Sequence, residues 1–533
     1  MRARIVITFF LFCIVIGALS FRLMRIVDQP VQMSQGAMRL TIDRSRGAIF
    51  DRNGLPIVHA ERQIYAAAKP SPAASLILRS MLSEQRWLEV EERLSRGSLV
   101  ALQTDMQSSP SDDVKLLEVY PRYAQNQPAV HLIGYLDGQS GAGVSGLERA
   151  FDPLLGRAWG SLGVRLAADA RGRGLAGAEL EIIDDNYRSS AGIQLTIDLR
   201  VQRIAEEAMR LYGLKQGAVV VLDCTTGEVL ALASTPVFDP GDIATSLDDP
   251  LEPFFNRALG AYPIGSTFKT FIAAAALDQR IPATRTYLCE GQGEFGGRVY
   301  RCSNETAHGM IDMSQALAQS CNLYFIQLAT NMQRQPMLDL VRLFGFGEPT
   351  VLVEDLRGAR GNIPSREELS LPGEMANFSF GQGKLLGTSL QMAAATACLV
   401  NGGVYRSPTL VKATMDEYGA ATPYINDIET REVISPEIAE QLRGMLVLAV
   451  EEGTGLSARP ETGGAGGKTA TAQSGRFRDD GSEILQTGFA GFFPAQQPRY
   501  AVMVFRQDGV SGAIDCGPVF RRIANAMRAQ GLF

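Results

Sequence analysis

Ser266 and Lys269 stand three residues apart where breakers give way to an alanine-rich run. The stretch is Tyr262-Pro263-Ile264-Gly265-Ser266-Thr267-Phe268-Lys269, followed by residues 270–277. Phe268, Ile272, Ala275 and Ala276 recur at helical spacing, so a helix is expected to begin near Ser266. On that helix the amine of Lys269 lies over the serine on the same face. The helix start also offers free backbone N–H groups and a positive dipole end. A serine, an amine within reach of its hydroxyl and N–H donors aimed at an anion are the parts of an acyl-transfer site. The competing reading is a serine that caps a helix beside a solvated lysine.

Two later stretches answer the first. Ser320-Cys321-Asn322 follows Ala316-Leu317-Ala318-Gln319. Residues 320 and 322 are expected to face one cleft while Cys321 faces away. A hydroxyl there relays protons, and an amide binds a carbonyl or orients a lysine. The third stretch, Gly463 to Gln473, is a glycine-rich loop running into a strand whose edge suits a peptide substrate. In it Lys468 is placed to hold a carboxylate, and the N–H of Thr471 to complete an oxyanion hole with that of Ser266. A phosphate loop is rejected. With Gly467 and Lys468 fixed in G-x-x-x-x-G-K-[ST], the first glycine falls on Thr462, and the chain continues as a strand instead of a helix.

The chain has 533 residues, 46% hydrophobic and 20% charged, which calls for at least two folded domains. A net charge of −6 gives no support to nucleic-acid binding. Seven cysteines in this length do not make a disulfide scaffold, and the three histidines (His59, His131, His308) leave few candidates for a His-based triad.

Residues Ile5 to Phe21 form an uncharged apolar run that spans roughly 26 Å as a helix, close to a bilayer core. Arg2 and Arg4 precede it and favour a cytoplasmic N-terminus. An uncleaved anchor is favoured over a signal peptide cut near Ala18-Leu19-Ser20, because the run is long for a signal peptide. The rest of the chain is expected outside the cytoplasm. Three parts follow: a stub and transmembrane anchor over 1–25, an α+β pedestal over 26–190, and a catalytic domain over 191–533. In the pedestal, Asn53-Gly54 between apolar residues suggests a hairpin, and His131 reads as an ordinary, partly buried histidine. In the third part Asp198 is expected to cap a helix over 199–212. Gly217–Asp223 and Glu228–Ala233 read as a hairpin around residues 224–227. Helical patterns cover 313–332, 388–399 and 518–530, with strands over 489–493 and 500–506. Helices inserted between an early hairpin and late strands argue for one α/β domain with an antiparallel sheet.

The ordered trio S-x-x-K, S-x-N and K-T-x is close to the catalytic set of β-lactamases and penicillin-binding proteins. With it come Arg46-Gly47 through Asp51-Arg52-Asn53-Gly54, Ser145-Gly146-Leu147-Glu148, Leu195-Thr196-Ile197-Asp198, Asn256-Arg257-Ala258 and Phe380-Gly381-Gln382-Gly383. On these residues the chain resembles the class B penicillin-binding proteins over nearly its whole length. The resemblance implies a membrane-anchored D,D-transpeptidase with the penicillin-binding fold, at the extracytoplasmic face of the bacterial cytoplasmic membrane. Ser266 would attack the D-Ala-D-Ala bond of a peptidoglycan stem peptide, with Lys269 as its base. Ser320 and Asn322 would shuttle protons and position substrate, and Lys468 and Thr469 would bind the terminal carboxylate. A second stem-peptide amine would resolve the acyl-enzyme, and β-lactams would acylate the same serine. No cofactor is implied for the chemistry. The first region carries no second catalytic set, so polymerisation of the lipid-linked precursor falls to a partner membrane glycosyltransferase. Rival readings are a D,D-carboxypeptidase or β-lactamase, for which the Glu-x-x-Leu-Asn pattern is missing between Asn322 and Lys468, and a non-catalytic β-lactam sensor or scaffold. Two residues depart from the family. Ala470 stands where glycine is usual and is expected to crowd the cleft. Ile264 stands where proline is usual, which bears on loop stiffness.

Cys289, Cys302, His308 and Cys321 fall between the first two motifs, and three thiols with an imidazole match a structural Zn²⁺ set. Cys321, between two cleft residues, would let a metal brace the catalytic loop from behind. A Cys289–Cys302 disulfide and plain buried thiols compete with that reading. His308-Gly309 resembles the elongation-type branch of the family, ahead of the division-type one. Cys224, Cys398 and Cys516 read as small core residues.

Overall fold

A computed structural model describes residues 12, 14–20, 22 and 36–533, other than 110, 170, 176 and 427. The apolar run of residues 5–21 lies mostly outside these. Within it residues 14–20 are helical, and among the described residues no helix is long and apolar enough to cross a membrane. The chain divides into two compact units: residues up to Arg44 with Arg62–Tyr120 and Gly160–Tyr187, and Ser45–Glu61 with Pro121–Trp159 and Arg188–Phe533.

The first unit contains a sheet in which Gln63–Ala68 pairs with Val100–Gln103 on one side and Val114–Val119 on the other, both antiparallel. Ser71 caps the helix Pro72–Met81 by accepting from the N–H of Ala74. That helix and Glu84–Ser95 bring Leu78, Trp87, Val90 and Leu94 onto Ala66, Ala68, Val100 and Val114.

The second unit is built on a five-stranded antiparallel sheet. Its strands are β1 (Gly217–Asp223), β2 (Val229–Thr235), β3 (Gly466–Phe477), β4 (Glu483–Phe493) and β5 (Tyr500–Gly509), in the spatial order β2-β1-β5-β4-β3. Its helices are α1 (Leu199–Leu211), α2 (Lys269–Asp278), α3 (Met313–Ala318), α4 (Asn322–Thr330), α5 (Ser389–Val400), α6 (Pro436–Glu451) and α7 (Gly517–Ala529). Side chains alternate across a strand. Val219 and Val221 of β1 therefore meet α1 and α7, while Ala218, Val220 and Leu222 join the core of the central helical block. Cover on both faces explains why β1 is apolar throughout. Helix α2 is also buried all round, the fate of a helix with no polar face. The expected hairpin of β1 and β2, the Asp198 cap of α1 and the terminal helix after Pro518 are all present.

One expectation gains a partner and one needs correction. The Asn53-Gly54 stretch is a tight turn, with the Asp51 carboxylate accepting from the N–H groups of Asn53 and Leu55. The chain folds back there as the short hairpin expected, with Phe50 bridged antiparallel to Pro56, the N–H of Asp51 donating to the carbonyl of Leu55 at 2.7 Å and that of Ile57 to the carbonyl of Ile49 at 2.8 Å. Ala48–Phe50 also pairs in parallel with Gly192–Leu195 on its other edge. The helical pattern over 313–332 is broken into α3 and α4. Between them Ser320 takes φ of 58°, a left-handed backbone that an unbroken helix excludes.

Buried polar groups tie the second unit together. Glu148, with its side chain fully buried, faces Arg122 at 2.7 Å and Arg46 at 3.2 Å, which explains why these separated motif residues occur together. His131 is buried, and its Nε2 donates to the carbonyl of Pro253 at 2.7 Å. Burial lowers its pKa to about 4, against about 6.5 for a free histidine. The folded state thus keeps His131 neutral, and its contribution is complete above about pH 6.5 and declines as pH falls towards about 4, by about 1.4 kcal/mol per pH unit. Urea unfolding of the protein and of H131Q across this window should show a steeper loss of stability for the unsubstituted chain. Parallel curves would contradict it.

Candidate active site

Ser266 lies in a single 3-10 turn, Gly265–Phe268, that runs directly into α2. The helix expected at Ser266 therefore starts as a tighter turn and becomes α-helical at Lys269. Gly265 has φ of 66°, and its N–H donates to the carbonyl of Gly381 at 2.8 Å. That contact gives the Phe380–Gly383 stretch its place beside the nucleophile. Ser266 is half-buried between neighbours that are fully buried.

Lys269 is 0% exposed. Its Nζ donates to the carbonyl of Ser320 at 2.6 Å, to the Ser320 hydroxyl at 3.2 Å and to Oδ1 of Asn322 at 2.6 Å. The left-handed backbone at Ser320 brings its carbonyl and its hydroxyl to the same amine. The amide of Asn322 is turned the right way by a second bond, from Nδ2 to the carbonyl of Arg301 at 2.8 Å. Burial lowers the pKa of Lys269 to about 8, with the Cys321 and Cys302 thiols acting in the opposite sense. A partly deprotonated amine near neutral pH is what a general base requires.

Lys468 lies on β3, the edge strand, and is 1% exposed. Its Nζ meets the hydroxyl and carbonyl of Thr469, each at 3.3 Å, and the Thr454 hydroxyl at 3.4 Å. Burial, then the charge of Lys269, pushes its pKa well down. That repulsion marks the two amines as neighbours. Thr471 is exposed on the same strand, with its hydroxyl accepting from the N–H of Gly512 at 3.3 Å. Because Lys468 sits inside a strand, the phosphate-loop reading is excluded.

The nucleophile turn rests on β3. A Cβ at Gly265 would come within 3.1 Å of the Ala472 methyl and 3.3 Å of the Ala470 methyl. Ala470 is 3% exposed and packs beneath this turn, beside Gly488. The crowding expected of its extra methyl thus falls on the support of Ser266 and not on the open cleft, because side chains alternate and 470 shares a face with the buried Lys468.

The cysteine segment also converges. The ligand atoms of Cys289, Cys302, His308 and Cys321 all lie within 4.8 Å of one another. Sγ of Cys289 is 3.2 Å from Nδ1 of His308 and 3.6 Å from Sγ of Cys302, which is 3.7 Å from Sγ of Cys321. A tetrahedral zinc with Zn–S near 2.3 Å needs sulfurs about 3.8 Å apart, so the donor set fits. A disulfide needs about 2.05 Å, and Cys289 and Cys302 do not meet it. The thiol of Cys321, then the N–H groups of Leu323 and Asn322, lower the pKa of Cys302.

Of the residues singled out from the sequence, hydrogen bonds join Lys269 to Ser320 and Asn322 and Lys468 to Thr469, the three cysteines and His308 form one cluster, and Ser266 and Thr471 stand on touching segments, Gly265 against Ala470 and Ala472. Sequence reading missed Thr454, whose hydroxyl is 2.9 Å from that of Thr469. Its flanking glycines, Gly453 and Gly455, were the available signal for a sharp turn.

A buried amine held by a second loop, beside a serine at a helix start, defines an active-site-serine acyltransferase. The chain belongs to the penicillin-binding protein transpeptidase family, in its class B branch: the family's penicillin binding protein transpeptidase domain matches residues 217–525. It is 30% identical over 474 residues to the peptidoglycan D,D-transpeptidase MrdA of Haemophilus influenzae, covering 78% of this chain and 71% of that one. It is 29% identical over 511 residues to stage V sporulation protein D of Bacillus subtilis, covering 90% of this chain and 76% of that one. A solved structure described as coordinating polymerization and crosslinking in a peptidoglycan synthase complex aligns at a TM-score of 0.69 with 25% identity, over 98% of each chain.

The fit of Gly265 against β3 can be checked directly. Gly265→Ala combines a left-handed backbone with contacts to two methyls, and should lower the unfolding free energy by about 1–3 kcal/mol and weaken penicillin labelling. Thermal unfolding and gel fluorescence read both effects, and wild-type behaviour in both would contradict the packing described.

Proposed function

We propose that this chain is a monofunctional peptidoglycan D,D-transpeptidase acting through an acyl-enzyme on Ser266. The observation that carries it is the buried Lys269 amine, fixed by three oxygens of Ser320 and Asn322 three residues after the serine. Lys269 takes the Ser266 proton as Oγ attacks the penultimate D-Ala carbonyl carbon. The N–H groups of Ser266 and Thr471 receive the oxyanion. The C–N bond then breaks, and the terminal D-Ala leaves with a proton relayed through Ser320. Lys468 and Thr469 hold the carboxylate of the departing residue. The amine of a second stem peptide attacks the ester, releases Ser266 and leaves a cross-link. A β-lactam presents a strained amide to the same serine, and its acyl-enzyme persists.

Residues 191–533 are the transpeptidase domain in this reading and 26–190 a pedestal and docking region. The run of residues 5–21 holds the protein in the bacterial cytoplasmic membrane as a single span, with the catalytic domain on the outer face. A membrane glycosyltransferase polymerises the lipid-linked precursor beside it, which the likeness to the synthase-complex structure supports. The MrdA relative favours an elongation-type role. Cys289, Cys302, His308 and Cys321 hold a structural Zn²⁺ that supplies no chemistry and braces the Ser320 loop.

Fluorescent penicillin should label the protein and fail to label S266A. An unlabelled wild type would reject the acyl-enzyme. With a stem peptide and an amine acceptor, the aminolysis product should exceed the hydrolysis product. Hydrolysis alone would make the protein a carboxypeptidase, and no turnover a sensor. Metal analysis of protein purified without chelator should give about one zinc per chain, lost in C302S. No metal in the wild type, with Cys289 and Cys302 bridged by mass spectrometry, would reject the zinc site.

A further inference from the structure

Thr454 lies just beyond α6, in the turn Gly453-Thr454-Gly455, and touches both halves of the site. Its N–H donates to the carbonyl of Ala318 at 2.9 Å. Ala318 is the last residue of α3, two before Ser320. The turn lies so close to that carbonyl that a Cβ at Gly453 would come within 2.3 Å of it. On the other side the Thr454 hydroxyl is 2.9 Å from the Thr469 hydroxyl and accepts from Lys468 Nζ at 3.4 Å. Among the described residues no carboxylate forms an ion pair with Lys468, so hydroxyls and a backbone carbonyl are the acceptors it meets in the protein.

We propose that Thr454 is a positioning residue that aims the Thr469 hydroxyl and the Lys468 amine at the ligand carboxylate, which rests on the acyl-transfer function proposed above. The bound carboxylate sets the direction. Once an anion is bound, Lys468 is an ammonium and can only donate. Thr454 must then accept from it. The Thr469 hydroxyl likewise accepts from it, at 3.3 Å, but a carboxylate only accepts, so Thr469 spends its one hydrogen on the ligand and the Thr454 hydrogen goes to the Thr469 oxygen at 2.9 Å. The Thr469 oxygen is thereby occupied as an acceptor, and its own hydrogen is left to point at the carboxylate. Such a relay polarises each bond in turn and strengthens the last one. The N–H bond to Ala318 fixes the relay to the chain segment that leads into Ser320, so the carboxylate subsite and the Lys269 subsite share one anchor.

The test compares a fluorescent penicillin bearing its free carboxylate with its methyl ester, by second-order acylation rate, on the full chain and on T454V and T454S. Valine keeps the shape and loses the hydroxyl. T454V should lose about tenfold on the acid and under about threefold on the ester, and T454S should stay within about threefold on both. The acid-to-ester ratio does not depend on the fraction of folded protein, so it remains informative if T454V is partly unfolded. An unchanged ratio in T454V, or a ratio in T454S that falls as far as in T454V, would overturn the proposal. Failure of the unsubstituted chain to be labelled would instead sink the acyl-transfer reading, and this inference with it.

Discussion

Burying an amine without a carboxylate beside it is the constraint on which the site depends. A charged lysine out of water is costly unless its protons are taken up. Lys269 has its protons taken up by three oxygens of one short loop, all neutral. A carboxylate would have stabilised the ammonium and spoiled it as a base, whereas carbonyl, hydroxyl and amide oxygens hold it in place and leave burial to lower its pKa. The left-handed backbone at Ser320, the break between α3 and α4 and the doubly bonded amide of Asn322 are all needed to supply those oxygens at once.

The sheet serves the same end from the opposite side. β3 is an edge strand, with no strand paired to its outer side among the described residues, the position an extended peptide can join. Its inward face carries Lys468, Ala470 and Ala472 in succession. The two methyls support the nucleophile turn and the amine stands next to them, so one strand sets both the height of Ser266 and the position of the Lys468 amine.

Much of this was legible beforehand. The apolar run of β1, the hairpin with β2, the cap at Asp198 and the alanine-rich α2 follow from local pattern, because each depends on residues near in sequence. The three motifs announced themselves through residue type and order. What local pattern does not carry is conformation imposed by distant partners. Nothing around Ser320 signals a left-handed backbone, since serine is not a residue that favours it. The strand before Asn53-Gly54 has, besides its hairpin mate, a second partner in Gly192–Leu195 that lies too far along the chain for local pattern to show. Ala470 was assigned to the cleft because its distance from Gly265 does not appear in a list of residue types. Thr454 went unnoticed because one threonine between two glycines has no chemistry until Lys468 and Thr469 are brought to it.

Cys321 sits between the two residues that hold the Lys269 amine and belongs to a cluster drawn from four separate stretches of chain. No sulfur takes part in the acyl transfer. Even so, anything that pulls on those thiols, such as an oxidant, a mercurial or a competing soft metal, pulls on the acceptors of the catalytic amine. A serine enzyme built this way inherits the sensitivities of a thiol enzyme, and its working life depends on sulfur atoms that its substrate never meets.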